Sequence, residues 1–186
     1  MKVLGFDVSS KTLAYALLEY NSCKEIILVD TNYIKPPKEG NIIERLAETR
    51  TKVSEIISKY NPDHIAIENI IEFMAGKSSA KTIGTLTSFN RMVGLLAYDH
   101  LKRSPELISV MTIRHALKMT KALPKKEDMP MLTANILGIT FPFQYKKNGK
   151  LKDECGDLAD SIAVALYLTL KLTNKLEKMK LDRKFL

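Results

Sequence analysis

Two short apolar runs each end on an acid. Lys2-Val3-Leu4-Gly5-Phe6-Asp7 reads as a buried strand closed by Asp7, and His64-Ile65-Ala66-Ile67-Glu68 as another closed by Glu68. An ionised carboxylate resists burial unless it is paired or binds metal. Two such strands therefore constrain the fold to bring their acids to a shared, compensated place. Asp157 and Asp160 stand three apart at the start of an apolar helical stretch. Residues i and i+3 share a helix face, so both can address one point. Carboxylates from three distant segments define an oxygen-rich site suited to Mg²⁺, with Mn²⁺ as substitute. The net charge of +8 makes a polyanion the natural substrate.

At 186 residues, 45% hydrophobic and 27% charged, the chain has the makeup of one globular domain with a full core. No apolar run reaches the ~18 residues of a membrane helix, and no signal core follows a basic start. The expected place is the compartment of synthesis: cytoplasmic and nucleoid-associated in a bacterium, mitochondrial or a viral factory otherwise. Two cysteines, Cys23 and Cys155, make neither a disulfide framework nor a zinc quartet.

Along the chain, Thr12–Tyr20 returns as a hairpin partner of the first strand, and Glu25–Ile34 forms a third. Asn41-Ile42-Ile43-Glu44 has the capping-box pattern. Ile42, Leu46, Val53, Ile56 and Ile57 then mark a helix face that stops before Asn61-Pro62. A helical pattern runs over about 78–102, a short strand over Leu107–Met111, and a short helix to about Met119. Lys118–Asp128 reads as a charged loop, Asp128–Leu137 as a helix, Tyr145–Lys152 as a basic loop and Asp153–Leu172 as the last helix. Three strands, then helix, strand, helix, strand and helices, imply a mixed five-stranded α/β sheet flanked by helices. That order resembles the ribonuclease H-like fold. The nuclease domain is expected over 1–172, with a basic tail over 173–186.

The residues carry a more specific likeness. Gly5-Phe6-Asp7-Val8-Ser9-Ser10-Lys11-Thr12-Leu13-Ala14-Tyr15-Ala16 resembles the opening of RuvC-type Holliday junction resolvases. Asp63-His64-Ile65-Ala66-Ile67-Glu68 is similar to their second acidic strand, and Phe73-Met74-Ala75 to the F-M-A that follows. Asp157-Leu158-Ala159-Asp160-Ser161-Ile162-Ala163-Val164-Ala165 resembles their terminal acidic helix. The ordered set spans about 1–170. It implies a homodimeric, metal-dependent endonuclease, with two ions per site, that nicks two symmetric strands of a four-way DNA junction. By the same resemblance Asp7, Glu68, Asp157 and Asp160 are both the catalytic residues and the metal ligands. The segment Asn69-Ile70-Ile71-Glu72 lengthens the approach to Phe73, and Thr112–Lys118 only loosely echoes the family's central T-P-x-x-V-K stretch. Which lysine assists catalysis stays open, as does a bacterial, viral or organellar origin.

For DNA contact the candidates are Phe73, Lys11, Lys77, Lys118, Lys121, Lys125 and Lys126. The Phe73 ring is either core or a wedge stacked in an opened base step. Lys146, Lys147, Lys150 and Lys152 are either a solvated loop or further phosphate contacts. Three other functions fit parts of the pattern. A nuclease of the same fold could act on structured RNA. An actin-like phosphotransferase needs two such domains and a glycine-rich loop, against a short chain with 8 glycines. A non-catalytic DNA-binding relative would have lost one or more acids, yet all four are present.

Overall fold

Alternation along β1 (Lys2–Val8) decides what faces what, because successive side chains of a strand point to opposite sides. Leu4, Phe6 and Val8 pack into one core cluster, while Val3 belongs to the other. Gly5 and Asp7 share the side of Val3. In the computed structural model, which describes residues 1–70 and 79–176, β1 is the centre of a five-stranded sheet of order β3-β2-β1-β4-β5. The partners are β2 (Leu13–Tyr20), β3 (Ile26–Ile34), β4 (His64–Asn69) and β5 (Glu106–Ser109). β3, β2 and β1 run antiparallel as a meander, and β1, β4 and β5 are parallel.

Helices cover both faces. On one side α1 (Ile42–Tyr60) and α2 (Ala80–Leu101) place Val53, Ile57, Phe89, Val93 and Ala97 against Leu4, Phe6, Ile65 and Ile67. On the other lie α3 (Val110–Leu117), α4 (Met129–Leu137) and α5 (Asp153–Leu172). α5 crosses β1 and β2 most closely because the sheet beneath it is paved with small residues. Gly5 pairs with Ala16 on one side and Ala66 on the other. A Cβ built on Gly5 would lie 2.6 Å from the backbone nitrogen of Ala165 and 2.6 Å from the carbonyl of Ser161. Only glycine admits the helix this close.

α1 begins and ends at the expected positions. Asn41 Oδ1 accepts the amides of Ile43 and Glu44 at 2.9 and 3.1 Å, and Glu44 Oε2 accepts the Asn41 amide at 2.9 Å. At the other end Asn61 adopts the left-handed conformation (φ 45°) before Pro62. Asn41→Ala is expected to cost about 1 kcal/mol in a chemical denaturation series without changing the site.

Two boundaries depart from the expected ones. The strand expected over Leu107–Met111 ends at Ser109, since the Ser109 hydroxyl accepts the Thr112 amide at 3.1 Å and starts α3 there. The loop expected over Lys118–Asp128 closes with a 3-10 turn, Lys126–Asp128, that leads directly into α4. Among the described residues no helix is long and apolar enough to cross a membrane. Cys23 is exposed, Cys155 buried, and neither is in a disulfide. Phe73, Lys77 and tail residues 177–186 lie outside the described residues.

Candidate active site

Parity puts Asp7 and Glu68 on the same face. Asp7 shares the side of Gly5, and Glu68 the side of Ala66, in two parallel strands whose registers pair Gly5 with Ala66. Both therefore emerge at the carboxyl ends of adjacent central strands, under α5. The backbone there is pinned: the buried Asn90 of α2 donates its Nδ2 to the Glu68 carbonyl at 2.9 Å. From above, α5 brings down Asp160, only 7% exposed. Carboxylate oxygens of Asp7, Glu68 and Asp160 all lie within 4.8 Å of one another. Three of the four acids singled out from sequence thus converge, and Asp157 stands one helical turn before Asp160, beside them.

Such crowding has an electrostatic signature. Burial first, then the charges of Glu68, Asp160 and Asp157, push the Asp7 carboxyl well above its usual range. Burial and the Asp160 charge raise Glu68 to about 7. Asp160 is raised as well, chiefly by burial, with Lys126 and Arg114 pulling the other way. Crowded carboxylates whose charged forms are disfavoured by desolvation and by one another are short of positive charge. Three converging hard oxygen donors match Mg²⁺ or Mn²⁺, so the residues present fit a divalent ion.

Lys126 is the basic residue that enters this cluster. Its Nζ lies 3.0 Å from Asp157 Oδ1 and 3.6 Å from Asp160 Oδ2. Partial burial works against its charge, but Asp157, Asp160 and Asp7 outweigh that and raise its pKa. The lysine stem passes over Gly156, where an added Cβ would sit 2.8 Å from Lys126 Cε. The flexible end of the lysine could move aside for such a methyl, so the contact records proximity and does not by itself demand glycine. Lys125 instead lies 4.0 Å from Glu127. Lys118 is half-buried and Lys121 exposed. The sequence grouped these four lysines; the structure sets Lys126 apart from the rest.

Arg114, on α3, went unnoticed in the sequence. Its charge lowers both Glu68 and Asp160, and its buried Nε has no hydrogen-bond partner among the described residues. An arginine in an otherwise apolar turn (Ile113, Ala116 and Leu117 are buried) was the available signal. Lys11, an exposed residue of the β1–β2 turn, lines a cleft of about 660 Å³ that runs from Asp157 past Ser9, Lys35, Lys38 and Arg45. The Arg45 guanidinium is oriented there by the carbonyls of Pro37 and Ser10, at 2.6 and 2.8 Å.

A central sheet of order 3-2-1-4-5, with acids at the ends of β1 and β4 met by acids of the last helix, defines a ribonuclease H-like nuclease. The sequence model of the family "Crossover junction endodeoxyribonuclease RuvC" matches residues 3–167, and the chain belongs to that family. Among its relatives, the RuvC protein of Campylobacter curvus is 29% identical over 89% of this chain and 94% of its own. That of Dehalococcoides mccartyi is 25% identical over 89% and 90%. The fold is shared with Thermus thermophilus RuvC, solved in complex with a Holliday junction substrate (TM-score 0.64, 20% identity, 89% and 91% of the chains). It is also shared with the yeast mitochondrial Holliday junction resolvase Ydc2 (TM-score 0.59, 17% identity, 98% and 82%).

Proposed function

We propose that this chain is a divalent-metal-dependent endonuclease that resolves four-way DNA junctions by paired symmetric nicks. The observation that carries the reading is the convergence of Asp7, Glu68 and Asp160 within 4.8 Å, with Lys126 at its edge, in a chain of the RuvC family. Asp7, Glu68, Asp157 and Asp160 would hold the metal, Mg²⁺ by preference and two ions per site. Bound there, the ions would activate a water and stabilise the leaving 3′ oxygen of an in-line displacement.

The protein's own groups do the rest. Asp7 and Glu68, fixed on central strands, set the position of the cluster, and Asn90 holds Glu68's backbone still. Lys126 reaches the cluster from the rim. When the scissile phosphate arrives, its ammonium is within a side-chain rotation of the charge that builds up on the phosphoryl oxygens. Arg114 of α3 supplies a second positive charge. Lys11, with Lys35, Lys38 and the braced Arg45, lines a path for the adjoining phosphates, and Lys118, Lys121 and Lys125 are proposed as further phosphate contacts. Phe73 and Lys77 are proposed to meet the junction centre from the segment after β4.

Paired nicks require two active sites related by a two-fold axis, hence an isologous dimer. α2 supports that role. Val93 is buried, and Met92 and Leu96 pack on the core, yet Leu95 and Tyr98 turn outward, 67% and 50% exposed. Beside Leu95, Gly94 leaves room for close approach, since a Cβ there would touch nothing within 4 Å. Leu95→Glu combined with Tyr98→Glu is expected to convert the dimer to monomer in sedimentation velocity at micromolar concentration. The same variant should leave single nicks in place of resolved duplexes. A parent protein that is strictly monomeric yet cuts both strands would overturn the dimer.

The reading as a whole is tested by offering the purified chain a four-way junction, a matched linear duplex and a structured RNA, each with and without Mg²⁺. Mg²⁺-dependent cleavage of the junction alone is expected. Preferential cleavage of the RNA would move the activity to RNA processing.

A further inference from the structure

The segment before α5 is more ordered than its lysine-rich sequence suggested. The Lys146 amide donates to the Lys150 carbonyl at 2.7 Å and the Gly149 amide to the Lys146 carbonyl at 3.0 Å. Gly149 sits at φ +77° and Tyr145 bridges antiparallel to Leu151. This is a three-residue hairpin loop, Lys147-Asn148-Gly149, with glycine in the left-handed position that such a loop requires. Its base is tied to the acidic helix. The Gln144 amide reaches Cys155 Sγ at 3.3 Å, Lys152 Nζ meets Gln144 Oε1 at 3.1 Å, and Lys146 Nζ lies 2.7 Å from Asp153 Oδ1. Asp153 is one helical turn, about 6 Å of rise, before Asp157.

Rings rise through this hairpin from core to surface. Phe141 is buried, Phe143 lies 5.1 Å from it, and Tyr145 stacks on Phe143 at 6.4 Å and 27°, with its own side chain 59% exposed. Lys147 and Lys150, both exposed, make no ion pair among the described residues. The hairpin thus presents an oriented aromatic face between uncompensated ammonium groups, alongside the catalytic carboxylates. Leu151, Lys152 and Asp153 share a cavity of about 350 Å³ with Lys126 and Gly156, so the hairpin flanks the lysine that enters the acidic cluster.

We infer that the Gln144–Lys152 hairpin is a second nucleic-acid-engaging element, in which Tyr145 stacks on an unpaired base near the cleavage point while Lys147 and Lys150 hold the flanking phosphates. It rests on the proposed junction cleavage and adds to it a base-stacking site separate from Phe73. Aromatic stacking tolerates any base and needs the base to be unstacked first. The hairpin therefore favours a strand opened at a junction over a paired duplex.

The test measures affinity of the full chain, in Ca²⁺, for a four-way junction with 2-aminopurine beside the crossover, and for a matched duplex. Tyr145→Ala is expected to weaken junction binding about 5- to 140-fold, the equivalent of ~1–3 kcal/mol. It should also remove the stacking quench of 2-aminopurine and leave duplex binding and the salt slope unchanged. Tyr145→Phe should behave as the parent. Tyr145→Leu keeps apolar packing on Phe143 without a π-face and should fail as alanine does. Lys147→Gln with Lys150→Gln should keep the quench but lower the salt slope by about 1.8. Parent-like junction binding by Tyr145→Ala or Tyr145→Leu, or an equal loss on duplex, overturns the inference. A parent that neither binds nor cuts the junction overturns the function on which it rests.

Discussion

Asp7→Asn is expected to abolish cleavage, by about a thousandfold or more, and at the same time to make the metal-free protein more stable at neutral pH. Both follow from one arrangement. Asp7 is half-buried beside Glu68, Asp160 and Asp157, and its carboxyl is raised well above the ordinary range. In the unfolded chain the acid ionises at its usual pH. In the folded, metal-free protein it keeps its proton longer. The folded state therefore binds more protons, and stability falls as pH rises between the two values. Glu68 sets a definite window, from 4.5 unfolded to about 7 folded. The penalty is absent below that window and complete above it. Melting in the absence of divalent ions at pH 8 should rise by roughly 3–10 °C in Asp7→Asn. At pH 4 parent and variant should differ little. A variant that is inactive and also less stable at pH 8 would mean that Asp7 is a structural acid, not one held under repulsion for a metal.

Gly5→Ala is expected to be the most damaging added methyl among the described glycines. The added Cβ would stand 2.6 Å from two backbone atoms of α5, Ala165 N and Ser161 O, and 2.8 Å from Ala165 Cβ. Backbone atoms inside a packed helix cannot rotate away as a side-chain end can. Either the helix lifts or the strand bends, at an expected cost of about 3 kcal/mol or more. Lifting α5 also separates Asp160 from Asp7 and Glu68, so any folded remainder should cut poorly. Gly84→Ala is the internal contrast. Gly84 lies in α2 with nothing within 4 Å of its added Cβ, and alanine there should stabilise by about 0.5–1 kcal/mol. Urea denaturation of the two variants measures both signs. Equal stability of Gly5→Ala and the parent would contradict the close helix–strand contact.

The fold and the acids were legible because they depend on short-range regularities. Two continuous apolar runs, each ending on an acid, placed Asp7 and Glu68 at the ends of buried strands. The capping box at Asn41 fixed the start of α1, and the apolar run after Asp153 marked α5 from end to end. Convergence of Asp7, Glu68 and Asp160 then required only that strands and helix pack in the usual order. The basic half of the site was less legible. Four lysines between 118 and 126 look alike in sequence, and only the tertiary arrangement sets Lys126 beside Asp157 and Asp160. Arg114 was hidden in a short helix whose start depends on the Ser109 cap, which the expected strand had absorbed. The 144–152 hairpin escaped notice because Lys147-Asn148-Gly149 is flanked by too few apolar residues to show a strand period. Phe73 lies outside the described residues, so whether its ring is core or wedge rests on Phe73→Ala cleavage and melting.

The most direct measurement of the metal centre is a calorimetric titration of the protein with Mn²⁺ at pH 7, repeated in buffers of different ionisation enthalpy. Glu68, with a pKa of about 7, is partly protonated at that pH without metal, and the Asp7 carboxyl beside it is raised well above its usual range. Saturable binding is expected with a buffer-dependent heat, because loading the site expels those protons. Asp7→Asn and Glu68→Gln should each lose most of the affinity and most of the proton release. Binding of unchanged strength and unchanged heat in both variants would contradict a metal centre built on Asp7 and Glu68.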